Sequence, residues 1–325
     1  MPMATDILLV SFYYPPFTEV GARRWGFLSR FLAEKGLAIT VVTSPLNGPE
    51  RTAPAPAGHE RITVHAVPSP AWRPPRIPRL PFIEEWLTWQ RPFRKFLEKR
   101  IRLEHPRLLV FTGGPFFSFV LAPGLGKRFH IPYWLDFRDP WDLGSHISLR
   151  FSAPLIRRLE QRAVRGAWVI TDVTPEMAAR RRAAFPDLPP ERFQVLENGY
   201  EGIPVAPRPP SPPGAVLRLG IWGKFSQYQT DHPSILVAAV AELAGEIPME
   251  IHHFGAVEAE TSLADNAARR GLAHVLHFHG HSEYEAGISL LAGMDVMVVS
   301  HRSPLMVGTK VYDAIRINRP ILAFC

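Results

Sequence analysis

The chain has 325 residues, 46% hydrophobic and 21% charged, which is material for a sizeable core and, at about 150 residues per domain, for two domains. One cysteine, Cys325, excludes a disulfide framework and fits a reducing cytosol, while the apolar opening Ile7–Val10 is too short for a membrane span and lacks the flanks of a signal peptide. Residues 1–205 carry 28 Lys and Arg against 19 Asp and Glu, or +9, and residues 206–325 carry 9 against 11, or −2, so the first half calls for an anionic partner: lipid headgroups, a lipid phosphate or nucleic acid.

Strands and helices alternate along the first part of the chain. A strand at 6–12 leads to a helix at 22–35 that ends at Gly36, then to a strand at 38–43. A strand at 107–112 is followed by Gly113-Gly114-Pro115, a helix at 116–129 and an apolar strand from Ile131 that runs into Asp136-Phe137-Arg138-Asp139-Pro140-Trp141. A helix at 151–166, a strand at 168–172, a helix opened by Thr174-Pro175-Glu176 and a strand at 193–196 complete this part. The stretch 204–214 is proline-rich and without period, a semi-rigid linker. Alternation resumes with strands at 216–222, 248–254, 274–279, 295–300 and 321–324 and helices at 233–244, 258–271, 282–292 and 310–317. The expectation is an α/β protein of two Rossmann-like domains, 1–203 and 215–325, with parallel sheets facing across a cleft.

Several chemistries are excluded. No Gly-x-x-x-x-Gly-Lys-Ser/Thr or Gly-x-Ser-x-Gly occurs, and Gly124-Leu125-Gly126-Lys127 falls at a helix end, where it reads as a C-cap. His252, His253, His277, His279 and His281 cluster, but without a Cys or carboxylate at ligand spacing they read as structural or solvent-facing, and no metal is expected. Arg180-Arg181-Arg182 reads as a solvated helix face. No platform of stacking aromatics interleaved with basic residues points to nucleic acid.

Four features lie where strands meet helices, the edge at which open α/β sheets bind ligands. In the first-strand loop, Gly21, Ala22 and Arg23 open a helix whose amides attract anions. Gly223-Lys224 follows the first strand of the second half, placing a cation where a phosphate would sit. Gly308, Thr309 and Lys310 offer amides, a hydroxyl and a charge at a helix start, and Asp313 one turn on is a candidate for a ribose diol. Asp136, Arg138 and Asp139 stand at a strand end, either as a salt-bridged structural terminus with Trp141 as a core lid, or as part of a site.

These segments, with Asn198-Gly199 and Arg319-Pro320-Ile321-Leu322-Ala323, resemble the retaining GT-B glycosyltransferases of family 4, in the branch of bacterial cell-surface polysaccharide enzymes. The resemblance implies sugar transfer from a nucleotide diphosphate sugar with retention and without metal or other cofactor. Gly223, Lys224, Gly308, Thr309, Lys310 and Asp313 would hold the donor. Gly21, Ala22, Arg23 and Asn198 would line the acceptor side, and Asp136, Arg138 and Asp139 would arrange sugar and acceptor. Leu305 stands where the family's first Glu would fall, Asp231-His232 stands near the usual second cation, and Gly21-Ala22 replaces Gly-Gly. A lipid-linked or glycan acceptor would place the enzyme in the cytoplasm, on the inner face of the membrane. The segment Trp86–Arg102, with Trp86, Trp89, Phe93 and Phe96 among basic residues, reads as an amphipathic helix packed on the sheet or as an anionic-membrane contact. Family members usually run on past the Pro-Ile-Leu-Ala strand, so a chain truncated at Cys325 is expected. The alternatives are a UDP-sugar 2-epimerase of the same fold and an inactive sugar-nucleotide-binding or membrane-associated protein.

Overall fold

The computed structural model describes the chain except for residues 1–4, 18–19, 46–59, 68–80, 142–152, 208, 210–211, 213, 227–228, 258–259, 302–304, 306 and 325. Cys325 and, within the proline-rich stretch 204–214, residues 208, 210, 211 and 213 therefore lie outside the described residues. The chain divides into two compact units, Met1–Glu197 and Asn198–Cys325.

The first unit contains β1 (Ile7–Val10), α1 (Val20–Glu34), β2 (Ile39–Thr43), β3 (Ile62–Ala66), α2 (Pro81–Glu104), β4 (Leu108–Thr112), α3 (Phe117–Phe129), β5 (Tyr133–Phe137), α4 (Ala153–Gly166), β6 (Val169–Asp172), α5 (Pro175–Ala184) and β7 (Phe193–Val195). Its strands form one parallel sheet in the order β3-β2-β1-β4-β5-β6-β7. The chain winds outward from β1 in one direction and then from β4 in the other, so the strand order reverses between β1 and β4. β1 and β2 are buried at every residue, as continuous apolar runs must be when helices cover both faces. One face packs Leu8, Val10, Phe111, Leu135 and Phe137 against Phe93 of α2, Phe117 of α3 and Ala163 of α4. The other packs Ile7, Leu9, Val41 and Val110 against Trp25 of α1.

The second unit contains β8 (Leu217–Trp222), α6 (His232–Leu243), β9 (Met249–Phe254), α7 (Thr261–Arg269), β10 (Leu276–Phe278), α8 (Tyr284–Leu291), β11 (Val296–Ser300), α9 (Thr309–Ile317) and β12 (Ile321–Phe324). Its parallel sheet has the order β10-β9-β8-β11-β12, and the reversal falls between β8 and β11. Two parallel sheets flanked by helices are thus the α/β architecture that the alternation predicts.

Two local expectations are corrected, for Gly124–Lys127 and for Arg181, and two features are added, the strand β3 and the packing of α2. β3 carries no apolar alternation strong enough to read, yet it pairs along β2 over five residues. Gly124 and Gly126 lie inside α3, and the cap is His130 in the left-handed region. A Cβ at Gly126 would come within 2.8 Å of Tyr133 Cδ1, so that glycine admits β5 against the helix. The aromatic residues of α2 do not face outward, since Phe93 is fully buried and Trp86, Trp89 and Phe96 pack on the same core. Its basic residues also pair along the helix, Arg94 and Arg102 with Glu98, and Arg128 of the next helix, α3, reaches the same carboxylate.

The second correction concerns Arg181. Arg180 and Arg182 are exposed, but Arg181 is buried, held by Asp172 at 2.8 Å and by Glu160, with its guanidinium 3.4 Å from the centre of the Phe137 ring. Burial pushes the Asp172 carboxyl above its usual range, and Arg181 only partly offsets that. Arg181→Met would strand two buried carboxylates and is expected to cost about 3–5 kcal/mol in urea unfolding at neutral pH. Their folded pKa values would then lie above the unfolded ones, so the deficit should shrink as pH falls from 7 toward 5.

Candidate functional site

At the carboxyl edge of the first sheet, the pleat sorts the Asp136–Trp141 motif residue by residue. Asp136 points to the α1 face, where it is fully buried. Its register partners are Thr112 on β4 and Thr171 on β6, and both hydroxyls donate to its carboxylate, at 3.1 and 2.8 Å. Arg24 Nε and Nη2 donate at 3.1 and 2.8 Å and Trp25 Nε1 at 2.7 Å. Burial alone pushes this carboxyl up in pKa. The charge and hydrogen bonds of Arg24, with those of Trp25 and Thr171, outweigh burial and hold it below the usual carboxylate range. With five donors around two oxygens, Asp136 has no face left for a substrate, so its role is to fix the strand ends. Phe137 and Trp141 belong to the opposite core, Trp141 stacking on Phe116 with ring centres 5.4 Å apart.

Arg138 and Asp139 are the motif's residues at the solvent edge. Arg138 Nη2 donates to the carbonyl of Gly114 at 3.1 Å and Nε to Asp139 at 3.3 Å, and the Asp139 side chain is 51% exposed. The guanidinium lies flat against Gly21, where any Cβ would overlap it outright, and a Cβ on Gly114 would come within 2.6 Å of Nη2. Gly114 also has φ +72°, the left-handed region that glycine enters at no steric cost. The two glycines therefore form a slot for one arginine at the strand-order reversal between β1 and β4.

Among the acceptor-side candidates, Gly21 joins this slot, Ala22 is buried in the helix and Arg23 is half-buried. Asn198 is half-buried at the start of the second unit. The functional arginine that sequence reading passed over is Arg24, which holds Asp136 and also donates to the carbonyls of Leu196 and Glu197, at 2.7 and 2.9 Å. Only its place beside Trp25, which begins the buried Trp25-Ser29-Ala33 stripe of α1, hints at it.

The second unit brings its candidates together at the β8–β11 reversal. Gly223, with φ +74°, leaves β8, and its amide donates to Phe254 at 2.7 Å. The side chain of Lys310 folds across it, so a Cβ at Gly223 would lie 3.2 Å from Lys310 Cε. Lys310 Nζ stands 4.1 Å from the centre of the Trp222 ring and 3.9 Å from Asp313 Oδ2. Gly308 precedes the first turn of α9, which Thr309 opens, and the first amides of a helix have no intrahelical acceptor. Lys224 is exposed one residue beyond Gly223. Asp313 is nearly buried, accepts from Tyr284 at 2.8 Å and lies 3.9 Å from Lys310 Nζ. His232 is buried against Ser300, and Asp231 precedes the first turn of α6 without a side-chain capping bond. Glu260 was not foreseen: fully buried, it accepts from the amides of Phe225 and Ser226 at 2.7 and 2.9 Å and so holds the loop after Lys224.

The profile of a family described as Glycosyl transferase 4-like domain matches residues 21–199. Among curated proteins none matches by sequence. Solved structures with a similar fold include a sucrose-phosphate synthase from Thermosynechococcus elongatus, at 15% identity and TM-score 0.69, covering 98% of this chain and 81% of its own. The lipopolysaccharide outer core galactosyltransferase WaaB, in apo form, aligns at 10% identity and TM-score 0.66, covering 98% and 80%. Anabaena Alr3699/HepE in complex with UDP aligns at 15% identity and TM-score 0.64, with the same coverage. At these identities the likeness is one of fold.

Two outcomes test the first-unit geometry. Asp136→Asn leaves the buried Arg24 without a counter-charge and should cost about 3–5 kcal/mol in urea unfolding at pH 7. Because the Asp136 pKa is lowered in the fold, the contribution that the variant lacks is present above the ordinary carboxylate range and vanishes as pH falls through the lowered value. Gly21→Ala should cost about 1–3 kcal/mol by overpacking, and distinctly less in an Arg138→Ala background, a coupling that a double-mutant cycle reads directly.

Proposed function

The chain belongs to the glycosyl transferase 4-like family, and on that premise we propose that it moves a sugar from a nucleotide diphosphate donor to a lipid-linked or polysaccharide acceptor, with retention at the anomeric carbon and without a catalytic metal. The observation that carries the donor half is Lys310, laid over Gly223 at the start of α9, at the strand-order reversal of the second sheet. Ligands of open α/β sheets bind at such reversals. As the glycosidic bond to the pyrophosphate breaks, negative charge develops on the departing phosphate. Lys310, Lys224 and the first amides of α9 are the groups that would stabilise that charge, in the way that fixed donors and cations do at other charged transition states.

In this reading the acceptor hydroxyl bonds to the anomeric carbon on the face the phosphate leaves, and its proton passes to the leaving phosphate oxygen. No protein base is then required, and Arg138 and Asp139 serve to orient the acceptor or the sugar hydroxyls. Asp136 acts through Arg24 and the strand ends. HepE, which shares the fold, has been solved with UDP, and that supports a nucleoside diphosphate as the donor class. The basic balance of the first 205 residues supports an anionic acceptor. No helix among the described residues is long and apolar enough to cross a membrane, so a membrane-bound acceptor would be met at the surface.

A panel of nucleotide sugars incubated with membrane lipid extract, with products read by mass spectrometry, should give a glycosylated lipid or glycan, with nucleoside diphosphate released only when acceptor is present. An epimerised sugar nucleotide without acceptor would instead support the epimerase. Lys310→Ala should lower kcat/KM by about 10²–10³-fold in protein that circular dichroism shows to be folded, the range seen when one charge-stabilising donor is removed. Full turnover by Asp139→Asn would remove Asp139 from the site.

A further inference from the structure

The uncovered margin of the second sheet gathers side chains that sugar transfer does not use. In the parallel register His252 of β9 stands opposite His277 of β10, and Glu250 stands two residues before His252. Side chains alternate along a strand, so Glu250, His252 and His277 share one face, and His279 follows two residues beyond His277. The sequence reading passed over Glu250 two residues before His252, and pairing across strands brings His277 beside the two. One ligand atom from each of Glu250, His252 and His277 lies within 4.8 Å of the others. His252 Nε2 is 3.0 Å from Glu250 and Nδ1 is 2.9 Å from His279. The His252 ring stacks on His277 and His279, with centres 4.8 and 5.2 Å apart. None of the four is buried, so these are not histidines satisfied inside a core.

We propose that Glu250, His252 and His277 bind a divalent transition-metal cation, zinc by donor chemistry, with water as the fourth ligand and His279 steadying His252 through Nδ1. Imidazole nitrogens and one carboxylate match zinc, which takes such ligands tetrahedrally at about 2.0–2.2 Å, whereas magnesium and calcium call for all-oxygen shells. Tetrahedral bonds of that length set the donor atoms about 3.4 Å apart, so the cluster must close by roughly 1 Å, within reach of side-chain rotation at a partly exposed surface. Arg218 faces Glu250 at 3.5 Å and is 43% exposed, free to turn to solvent when a metal takes the carboxylate. The consequence is structural: β10, a three-residue edge strand, would be clipped to β9 by a bond between side chains. This site is independent of the transfer reaction.

The test uses the full chain, stripped with a chelator and titrated with Zn²⁺ against a chromophoric competitor. One zinc per chain is expected, with a rise in thermal midpoint that Mg²⁺ does not produce, and Co²⁺ should give the intense visible bands of a tetrahedral site. His252→Ala and His277→Gln should each weaken binding on the order of 100-fold, one ligand's share of a multi-ligand site, while His274→Ala, at a residue that pairs with the Gly271 carbonyl outside the cluster, leaves it unchanged. Circular dichroism of each metal-free variant establishes that it is folded, and Glu250→Gln repeats the test with little change of shape. Wild-type protein that binds no zinc tighter than about 10 μM, or folded variants that bind as well as wild type, would overturn the proposal.

Discussion

Arg24 and Asp136 form the interaction on which the first unit depends. A fully buried carboxylate is costly unless paired and hydrogen-bonded, and here both conditions hold. The pair draws on α1, β4, β5, β6 and the residues after β7, so one charge cluster aligns the carboxyl ends of four strands with the helix that follows β1. Trp25 and Trp134 meet edge to face beside the cluster at 5.3 Å, and each donates into it, Trp25 to Asp136 and Trp134 to Thr171. The edge thus built sets the height at which Arg138 and Asp139 emerge.

The second unit solves the same problem with less charge and more backbone. Gly223 and Gly255 bring two strand exits together, since a Cβ on Gly255 would lie 3.0 Å from the Gly223 Cα. Glu260 then gathers the amides beyond β8, and the aromatic pair Trp222 and Tyr284, stacked at 5.4 Å, supports Lys310 and Asp313 from below. The cation is held by a ring face and a nearby carboxylate, both within the same unit, and reaches the sheet edge already placed.

Much of this was legible in the chain itself. Apolar runs ending in Gly, Pro or charged residues marked most strands within two residues, and strand–helix alternation implied both parallel sheets, because those signals are local. What stayed hidden depended on pairing or on facing. β3 is half-exposed and reads weakly, and Arg181 looked solvated because its partners Asp172 and Glu160 lie 9 and 21 residues away. In the Asp136–Trp141 motif the residue types announced a strand end, but only the pleat could assign Asp136 to the interior and Arg138 to the rim. The same limit explains why Arg23 was singled out instead of Arg24, since adjacent helical residues point about 100° apart.

The glycine slot around Arg138 carries a thermodynamic consequence. A free arginine side chain holds about 2 kcal/mol of rotamer entropy, which an ordinary surface residue surrenders only when it engages a ligand. Arg138 is already confined, its guanidinium against Gly21, hydrogen-bonded to Gly114 and Asp139, with 14% of its side chain exposed. That loss of freedom is therefore part of folding, set against the stability of the whole unit. An anion arriving at this edge meets a cation whose ordering is complete, and more of the contact energy remains available as affinity.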